Sequence, residues 1–311
     1  MKSTTRKHSI LACALLGAMV ASLTQAATVR YQGSGDWFDT DLSNGNGWQP
    51  GGVLPGAADT VRFNWGNNTV TLAGAAPNVT AFQMGVDESG GLVVNSGGSL
   101  TATGNSKIGN NAGGGGVNPT TGFLTVNSGG VVNAQGGWLM VAGNSGALTG
   151  NVTLNGGNLN VSGHLWVATG AGSHGNIDIF GGTLSVGGML GLGTVDTITL
   201  GGTGRLSVHD GGVLSLANVQ ADGSLGSIQP GSLLDITGTG LVTLPGDFTS
   251  VVDTYIAAGR IAGNGVPSLA QAVFDTGLNE TLITAIPEPS TFALMALLGA
   301  GFLVRRLSRR S

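Results

Sequence analysis

The chain has 311 residues, of which 58 are glycine and only 9% are charged, whereas globular domains typically have about 7% glycine and about 25% charged residues. Glycine and proline together stay below the share that is typical of unstructured chains, and the glycines recur at regular places, so we expect a repetitive fold. The net charge is −4, and between residues 27 and 285 five basic residues stand against 15 acidic ones, a balance that disfavours nucleic acid as a partner.

The N-terminal segment, residues 1–26, has the order of parts of a secretory signal peptide. Basic residues at the start precede an apolar run over residues 10–23, and small residues follow at Ala26 and Ala27. We therefore predict a signal helix, export through the Sec translocon and cleavage between Ala26 and Ala27. Cys13 is the single cysteine, and its use as a lipidation site is disfavoured because only three apolar residues precede it. The predicted mature chain has no disulfide bond and depends on burial and backbone hydrogen bonds.

Residues 27–77 are predicted to form an N-terminal β cap. The segment contains three of the five tryptophans, namely Trp37, Trp48 and Trp65. We expect these rings to cover the open end of an apolar column, while Asp59 and Arg62 hold turns. The order of tryptophan, proline and aspartate in the segment resembles the opening of exported bacterial β-helix and autotransporter-type proteins. An alternative use of the same three rings is a sugar-binding platform.

Residues 78–245 contain a glycine-rich repeat. Each copy has a short alternating strand, a Gly-Gly turn and a second alternating strand. The copies are VVNSGGSLTA from Val93, LTVNSGGVVNA from Leu124, VTLNGGNLNV from Val152, IDIFGGTLSV from Ile177 and LSVHDGGVLSL from Leu206. Three copies are followed by a further short strand, and these added strands have equivalent leucines at Leu139, Leu165 and Leu190. Three strands in about 25 residues predict one coil of a parallel β-solenoid.

The predicted fold is therefore all-β, a parallel β-solenoid of about five or six coils with a capping segment at each end. Side chains alternate between the two faces of a strand, so apolar residues form one interior column while Thr153, Asp178 and Ser185 face water. The insertion over residues 110–121 is predicted to be a loop outside one corner. Residues 246–285 are predicted to be a C-terminal cap with a short helix, because apolar residues in FTSVVDTYIAAG recur at helical spacing.

The last segment, residues 286–311, joins a proline turn, an apolar run and a basic end without a gap. The apolar run over residues 292–304 is 13 residues long, so a helix there would reach about 20 Å against a hydrocarbon core of about 30 Å. We predict a short transmembrane helix with the arginines on the cytoplasmic side. An ordinary C-terminal membrane anchor is one interpretation of this segment.

A second interpretation follows from the order of its parts, which closely resembles the PEP-CTERM family of bacterial sorting tails. The positions that carry the resemblance include Pro287, Glu288, Pro289, Arg305 and Arg306. The resemblance implies that an exosortase in the inner membrane recognises the tail, cuts near the proline turn and passes the protein to the cell exterior. The inner membrane would then hold the precursor transiently, and the finished protein would lie at the cell surface or in the extracellular matrix.

The sequence predicts no catalytic site, no cofactor and no metal site. Catalysis by paired carboxylates needs two acids at one cleft, but the acids of the repeat are spread over it, at Asp178, Asp196, Asp210, Asp222 and Asp235. A calcium-dependent lyase needs clustered aspartates beside a base, and the nearest approach to that pattern is Arg205 with Asp210. No spacing brings to one zinc ion the three histidines outside the predicted signal peptide, His164, His174 and His209.

Trp138 and Trp166 are the candidate ligand contacts, because both are predicted on the outer face, where they form an apolar stripe with Met140. Three functions remain open at this point. The first is a non-enzymatic surface or matrix protein associated with exopolysaccharide or biofilm. The second is a polysaccharide-binding module that uses these tryptophans, and the third is a polysaccharide lyase or hydrolase on a β-helix scaffold. The scarcity of acids and bases on matching coils favours the first function over the third.

Overall fold

The computed structural model describes residues 26–110, 120–143, 148–194, 201–217 and 227–287. Nearly all of the predicted signal helix and of the predicted loop over residues 110–121 lies outside these ranges. The same holds for Asp196, Asp222 and the predicted sorting tail after Pro287.

Short strands make up most of the described chain. The first thirteen are β1 (Thr28–Gln32), β2 (Gly35–Asp36), β3 (Gly47–Gln49), β4 (Thr60–Phe63), β5 (Asn68–Leu72), β6 (Ala81–Met84), β7 (Gly90–Val94), β8 (Ser99–Ala102), β9 (Ser106–Asn110), β10 (Thr121–Asn127), β11 (Val131–Ala134), β12 (Trp138–Gly143) and β13 (Thr149–Asn155). The others are β14 (Asn158–Val161), β15 (His164–Val167), β16 (His174–Ile179), β17 (Gly182–Val186), β18 (Leu190–Leu192), β19 (Thr203–Val208), β20 (Gly212–Leu216), β21 (Ser227–Ile228), β22 (Leu233–Ile236), β23 (Leu241–Pro245), β24 (Ile261–Gly263), β25 (Ala270–Asp275) and β26 (Glu280–Ala285). One α-helix, α1 (Thr249–Ala257), and two 3₁₀ turns, Leu42–Asn44 and Pro267–Leu269, complete the described elements.

The strands form three sheets around one interior. Sheet A has the order β21-β18-β15-β12-β9-β6-β4-β1-β3, sheet B the order β2-β5-β7-β10-β13-β16-β19-β22-β24, and sheet C the order β25-β26-β23-β20-β17-β14-β11-β8. Neighbouring strands are parallel, except that β1 with β3, β23 with β26, and β25 with β26 are antiparallel. The chain passes from sheet A to B to C and returns, for about seven turns. The predicted parallel β-solenoid is confirmed, with slightly more turns than expected.

Strand pairing also confirms the equivalences that the repeat predicts. Leu139 lies opposite Leu165, which lies opposite Leu190 in the next turn of sheet A. Ile108 lies opposite Val141, although the insertion separates them in the chain. The strands before and after the insertion therefore keep their register, while residues 111–119 lie outside the described ranges.

The interior is a continuous column of apolar side chains, partly aromatic in the first turns and aliphatic after them. In β10, for example, Leu124 and Val126 are fully buried, while Thr125 between them faces outward. The alternation repeats from turn to turn. Burial of each Leu, Val or Ile side chain contributes about 1.5–3 kcal/mol to the free energy of folding. Because one turn leaves its apolar edge open, stability depends on the turns above and below it.

The Gly-Gly turn between sheets B and C needs its two glycines for different reasons. Gly211 has a left-handed backbone with φ +71°, yet a Cβ added there would have no neighbour within 4 Å. The backbone at Gly212 is ordinary, but its added Cβ would lie 2.5 Å from the carbonyl oxygen of Ile179 in the preceding turn. The first position therefore requires backbone freedom, and the second requires space.

The N-terminal segment begins the same three-sheet ladder, since β1 pairs in parallel with β4. Trp37 and Trp48 are fully buried, and the indole N–H of Trp48 donates to the carbonyl of Trp37 at 2.7 Å. Trp65 is 44% exposed, so the expectation that all three rings cover the column is wrong for Trp65, which lies in the turn between β4 and β5. The burial of the other two rings also removes the sugar platform built from all three.

Polar side chains hold this segment in two ways. The carboxylate of Asp59 accepts hydrogen bonds from the backbone N–H groups of Gly56, at 2.8 Å, and Ala27, at 3.2 Å, which confirms its predicted role in a turn. The expectation that Arg62 also holds a turn is wrong. Its side chain extends along the outer face to the neighbouring strand, where its Nε donates to Gln83.

The C-terminal segment closes the other end of the column. Helix α1 lies where the apolar spacing predicts it, with Val252 fully buried. The antiparallel hairpin of β25 and β26 then covers the last parallel strand of sheet C, β23. A reversal of strand direction thus ends the parallel stack at this edge.

Candidate functional site

One outer column of sheet A carries polar side chains on four successive strands. Strand pairing places Arg30 opposite Arg62, Arg62 opposite Gln83, and Gln83 opposite Lys107. The flanking residue Val61 is buried, which leaves Arg62 on the outer face, and the same alternation applies in the other turns. Three of the five basic residues between positions 27 and 285 therefore lie in one column. We call these four residues the cation ladder.

Two members of the cation ladder, Arg62 and Lys107, have no acidic partner among the described residues. Within the described ranges, no carboxylate oxygen lies within 4.0 Å of the side-chain nitrogens of Arg62 or Lys107. The Nε of Arg62 donates to the side-chain oxygen of Gln83 at 2.8 Å. The Nζ of Lys107 lies 5.6 Å from the ring centroid of Trp138, within the range of a cation–π contact.

Arg30, at the end of the cation ladder, faces a carboxylate at the limit of ion pairing. Its Nη2 lies 4.0 Å from Asp87, and the two side chains are 42% and 45% exposed. Exposed pairs of this kind contribute little to stability. Arg30 therefore remains available to other anions.

The charges of the cation ladder repel one another. Burial lowers the pKa of Arg62, the charge of Arg30 lowers it further, and Asp87 opposes the shift. Burial also lowers the pKa of Lys107, and the charge of Arg62 adds to that effect. Both shifts mean that the folded chain holds these two cations at a cost that a bound anion would relieve.

The same column becomes apolar after Lys107, where it continues with Met140 and Trp166. Met140 is 8% exposed and Trp166 is 5% exposed. The ring of Trp166 lies over Gly191, where an added Cβ would be 2.5 Å from the ring, and it stacks on the His164 ring with centroids 5.2 Å apart. Trp166 therefore offers a ligand little surface.

Of the two candidate ligand contacts, Trp138 keeps the more accessible ring. It is only partly buried, and Lys107 stands over its ring. Its backbone N–H donates to the side-chain oxygen of Asn105 at 3.1 Å, which fixes the start of the strand. The accessible aromatic surface of sheet A thus adjoins the cationic surface.

Asparagines form ladders on the outer faces of the other sheets. The amide of Asn127 donates to Asn95 at 2.8 Å, and the amide of Asn155 donates to Asn127 at 3.1 Å. We call these three residues the asparagine ladder. A second pair, Asn160 and Asn133, is joined at 2.9 Å on sheet C. An amide can both donate and accept, and Asn127 does both, so it joins the turn before it to the turn after it.

The column of the asparagine ladder continues into an acid, imidazole and hydroxyl cluster. His209 has its Nε2 3.1 Å from Asp178 and its Nδ1 3.0 Å from Thr237. The exposed ring of Phe180 stacks on the imidazole with centroids 4.1 Å apart and an interplanar angle of 7°. A chain of these groups can activate a hydroxyl in an enzyme cleft. Here it lies on an outer corner, and it joins three successive turns as the asparagines do.

The approach of Arg205 to Asp210 that the sequence suggested is not formed. Arg205 pairs with Asp235 at 3.5 Å, and that buried carboxylate also accepts from the backbone N–H of Gly265 at 2.9 Å. Asp210 accepts from the backbone N–H of Thr239 at 2.7 Å. Both acids therefore serve loops between strands.

The histidines have separate roles. His164 accepts a hydrogen bond from the backbone N–H of Met189 at 2.9 Å, and His209 belongs to the cluster described above. His174 is exposed at the start of β16. Among the described residues, no three His, Cys, Asp or Glu side chains are grouped to hold a metal ion.

The described fold ends close to the predicted processing segment. Ala285 is buried in β26, and the backbone N–H of Ile286 donates to the carbonyl of Leu269. Residues 285–310 match the protein family described as the PEP-CTERM protein-sorting motif. The chain carries a PEP-CTERM sorting motif. No curated protein and no solved structure matches the chain.

The PEP-CTERM motif implies an exported protein whose precursor is held at the membrane and processed by an exosortase. The matched range includes the positions that carried the resemblance, Pro287, Glu288, Pro289, Arg305 and Arg306. In the part of the chain that the structure describes, no helix has both the length and the hydrophobicity needed to cross a bilayer. The predicted transmembrane run, residues 292–304, lies outside that part.

The other end of the predicted mature chain coincides with the start of the sheets. The carbonyl of Ala27 accepts from the backbone N–H of Thr60 at 2.8 Å, and β1 starts at the next residue. Cleavage between Ala26 and Ala27 remains a prediction.

Sequence reasoning missed the cation ladder, because its members are separated by unequal lengths of chain. A weak indication was present: the tripeptide TVR occurs at residues 28–30 and again at residues 60–62. These two copies are paired residue by residue in sheet A. Recognising them as consecutive turns would have placed Arg30 beside Arg62.

Proposed function

We propose that the chain is a non-enzymatic protein of the cell surface or extracellular matrix, and that its solenoid associates with exopolysaccharide. The observation that carries the proposal is the PEP-CTERM motif, which begins at the end of the closing hairpin of a β-solenoid. The motif supports export, and the solenoid supports a display role, because its outer faces are long and regular and carry ladders of polar side chains.

The use of the acidic side chains supports a non-enzymatic role. Asp59, Asp210 and Asp235 each accept backbone hydrogen bonds that hold turns or loops. Asp178 pairs with His209 in a stack between turns. Acids with structural partners of this kind are poorly placed to serve as general acids or bases.

A polysaccharide lyase or hydrolase is the alternative, and the cluster around His209 is where it would act. His209→Gln keeps a polar side chain of similar length and removes the titrating imidazole. Cleavage of polysaccharide by the wild-type chain, lost in this variant, would replace the proposal with an enzyme.

Export can be tested by replacing Pro287, Glu288 and Pro289 together with alanine. We expect the precursor to accumulate in the inner membrane, because the exosortase no longer recognises the tail. Cell fractionation and immunoblotting measure the distribution. Replacement of the exposed Ser268 and Gln271, which lie before the motif, with alanine is the matched control. Normal release of the triple variant would contradict sorting through this motif.

Matrix association needs a separate measurement. Enzymatic digestion of the exopolysaccharide should release the exported wild-type protein from the washed matrix fraction, and mock digestion should not. Retention that survives complete digestion of the polysaccharide would contradict the association with exopolysaccharide, and a protein found only in the growth medium would contradict the matrix role.

A further inference from the structure

The cation ladder is a surface feature that sorting does not explain. Except for Arg30 beside Asp87, its cations have no acidic partner within the described ranges, although the mature chain is predicted to have three acids for every base. Burial and mutual repulsion lower the pKa of Arg62 and of Lys107. A surface that concentrates unpaired positive charge on an acidic protein suits an anionic ligand.

We propose that the cation ladder, together with Trp138, binds an anionic polysaccharide through its carboxylate groups, with the sugar chain lying along the solenoid axis. The inference rests on the proposed function and specifies the chemical class of its polysaccharide partner. The planar guanidinium groups of Arg30 and Arg62 match carboxylates with two parallel hydrogen bonds, and Lys107 adds a point charge. Trp138 supplies an apolar face beside that charge.

The geometry of the ladder favours an extended ligand. Neighbouring strands are about 4.8 Å apart, so the three strand steps from Arg30 to Lys107 span about 14 Å. Gln83 stands between the cations and can both donate to and accept from sugar hydroxyls. Because hydrogen-bonded strands hold these spacings, the protein loses little conformational freedom on binding.

A polyuronate fits this surface better than a nucleic acid does. Double-stranded DNA has one phosphate per about 1.7 Å of axis, and tight binding requires many phosphate contacts. The cation ladder has three cations in a single column, and Asp87 and Glu88 lie at the corner beside it. A chain with more widely spaced carboxylates can meet the cations while avoiding these acids.

The test uses the full chain, purified in a mild non-ionic detergent, and three immobilised probes: polygalacturonate, neutral dextran and double-stranded DNA. We expect retention on polygalacturonate that weakens with added salt, and no retention on dextran or DNA. Arg62→Gln and Lys107→Gln should each weaken binding by about three- to tenfold, because each variant removes one of the three cations at a partly solvated surface.

Two further variants sharpen the test. Asp87→Asn removes the acid that competes for Arg30 and should strengthen binding, and asparagine tolerates the left-handed backbone at this position, φ +69°. Ser185→Asp, on the outer face of sheet C, changes the net charge as Lys107→Gln does but lies away from the ladder. It should leave binding unchanged. Circular dichroism and thermal melting of each variant verify the fold.

Several results would overturn the inference. They are equal binding by wild type and by folded Arg62→Gln and Lys107→Gln, equal retention on dextran, equal or tighter binding to DNA, or the same loss in Ser185→Asp. Failure here with normal matrix retention in cells would refute the ligand class and leave the proposed function standing. Binding to polygalacturonate by a protein that never reaches the matrix would refute the proposed function instead.

Discussion

Two kinds of ladder occur on the same solenoid, and they differ in whether side chains within the ladder complete one another's hydrogen bonds. In the asparagine ladder, Asn127 donates to Asn95 and accepts from Asn155, so a repeated residue completes its own hydrogen bonds. In the cation ladder, Arg62 and Lys107 can only donate. The asparagine ladder therefore supplies its own donors and acceptors, whereas in the cation ladder Gln83 accepts only one hydrogen bond, from Arg62, and the remaining N–H groups need acceptors from outside.

When turns stack in register, the same outward position recurs in each turn, and its side chains form a column whose properties depend on the residue type. An amide repeated from turn to turn becomes structural support, because donor and acceptor alternate along the column. Cations on neighbouring turns instead add up to a positive electrostatic potential that attracts anions. Changes to the shared scaffold, to each ladder and to the charge of Lys107 test this difference, with effects that decrease in that order.

The largest effect should come from disturbing the register on which both ladders depend. Gly212→Ala places a methyl group 2.5 Å from the carbonyl oxygen of Ile179, so the turns must separate. We expect a loss of about 3 kcal/mol or more in the free energy of unfolding. Gly211→Ala, at the adjacent open position, should cost about 1 kcal/mol for its left-handed backbone. Urea unfolding measures both, and equal losses would contradict the close approach at Gly212.

A smaller effect should distinguish the two ladders directly. Asn127→Asp removes the donor to Asn95 and places a carboxylate against that oxygen, so we expect a loss of about 1 kcal/mol in the free energy of unfolding. Lys107→Gln should change stability by less than about 0.5 kcal/mol, because Lys107 has no acidic partner among the described residues and relief of its buried charge offsets the lost contact with Trp138. Thermal unfolding at neutral pH compares the two variants. A similar loss for both would show that the cation ladder is structural.

The smallest effect is the pH dependence that Lys107 itself contributes. Its pKa in the folded chain is lowered from 10.5, first by burial and then by the charge of Arg62. Between the lowered value and 10.5 the unfolded chain binds more protons, so the stability of the wild type should rise with pH in that window.

Lys107→Gln removes this contribution, and the difference in unfolding free energy between wild type and variant measures it. We expect that difference to change in favour of the wild type as the pH rises towards 10.5 and then to level off. Binding to polygalacturonate should weaken over the same window as Lys107 loses its charge. A difference that is independent of pH would show that the ammonium group of Lys107 is not destabilised by folding.

The sequence predicts those parts of the fold in which the residue type alone decides whether a side chain faces the interior or the solvent. Leucine or valine at alternate positions must face the interior, so the repeat alone is enough to align Leu139, Leu165 and Leu190, and their strands pair in that register. Helix α1 is predictable because its apolar spacing departs from that of the strands.

What covers an outward side chain is not predictable in the same way. Trp166 is outward as expected, but it is nearly buried because Gly191 in the next turn leaves room for its ring. Trp65 is exposed because it lies in a turn, a position that composition does not reveal. To predict the cation ladder, one must know how the strands of the first turns are aligned. The sequence does not show this alignment, because the Gly-Gly pattern is absent there and the spacing is irregular.

Two neighbouring turns are separated by the same number of residues in all three sheets, and this bears on how the number of turns can change in evolution. Thr149 pairs with His174 in sheet B, Asn158 with Thr183 in sheet C, and Leu165 with Leu190 in sheet A, always at the same separation along the chain. A stretch of coding sequence for one whole turn can therefore be duplicated or lost by recombination while every remaining strand keeps a partner in register. The length of the solenoid can therefore change by whole turns without any change in the segments at its two ends.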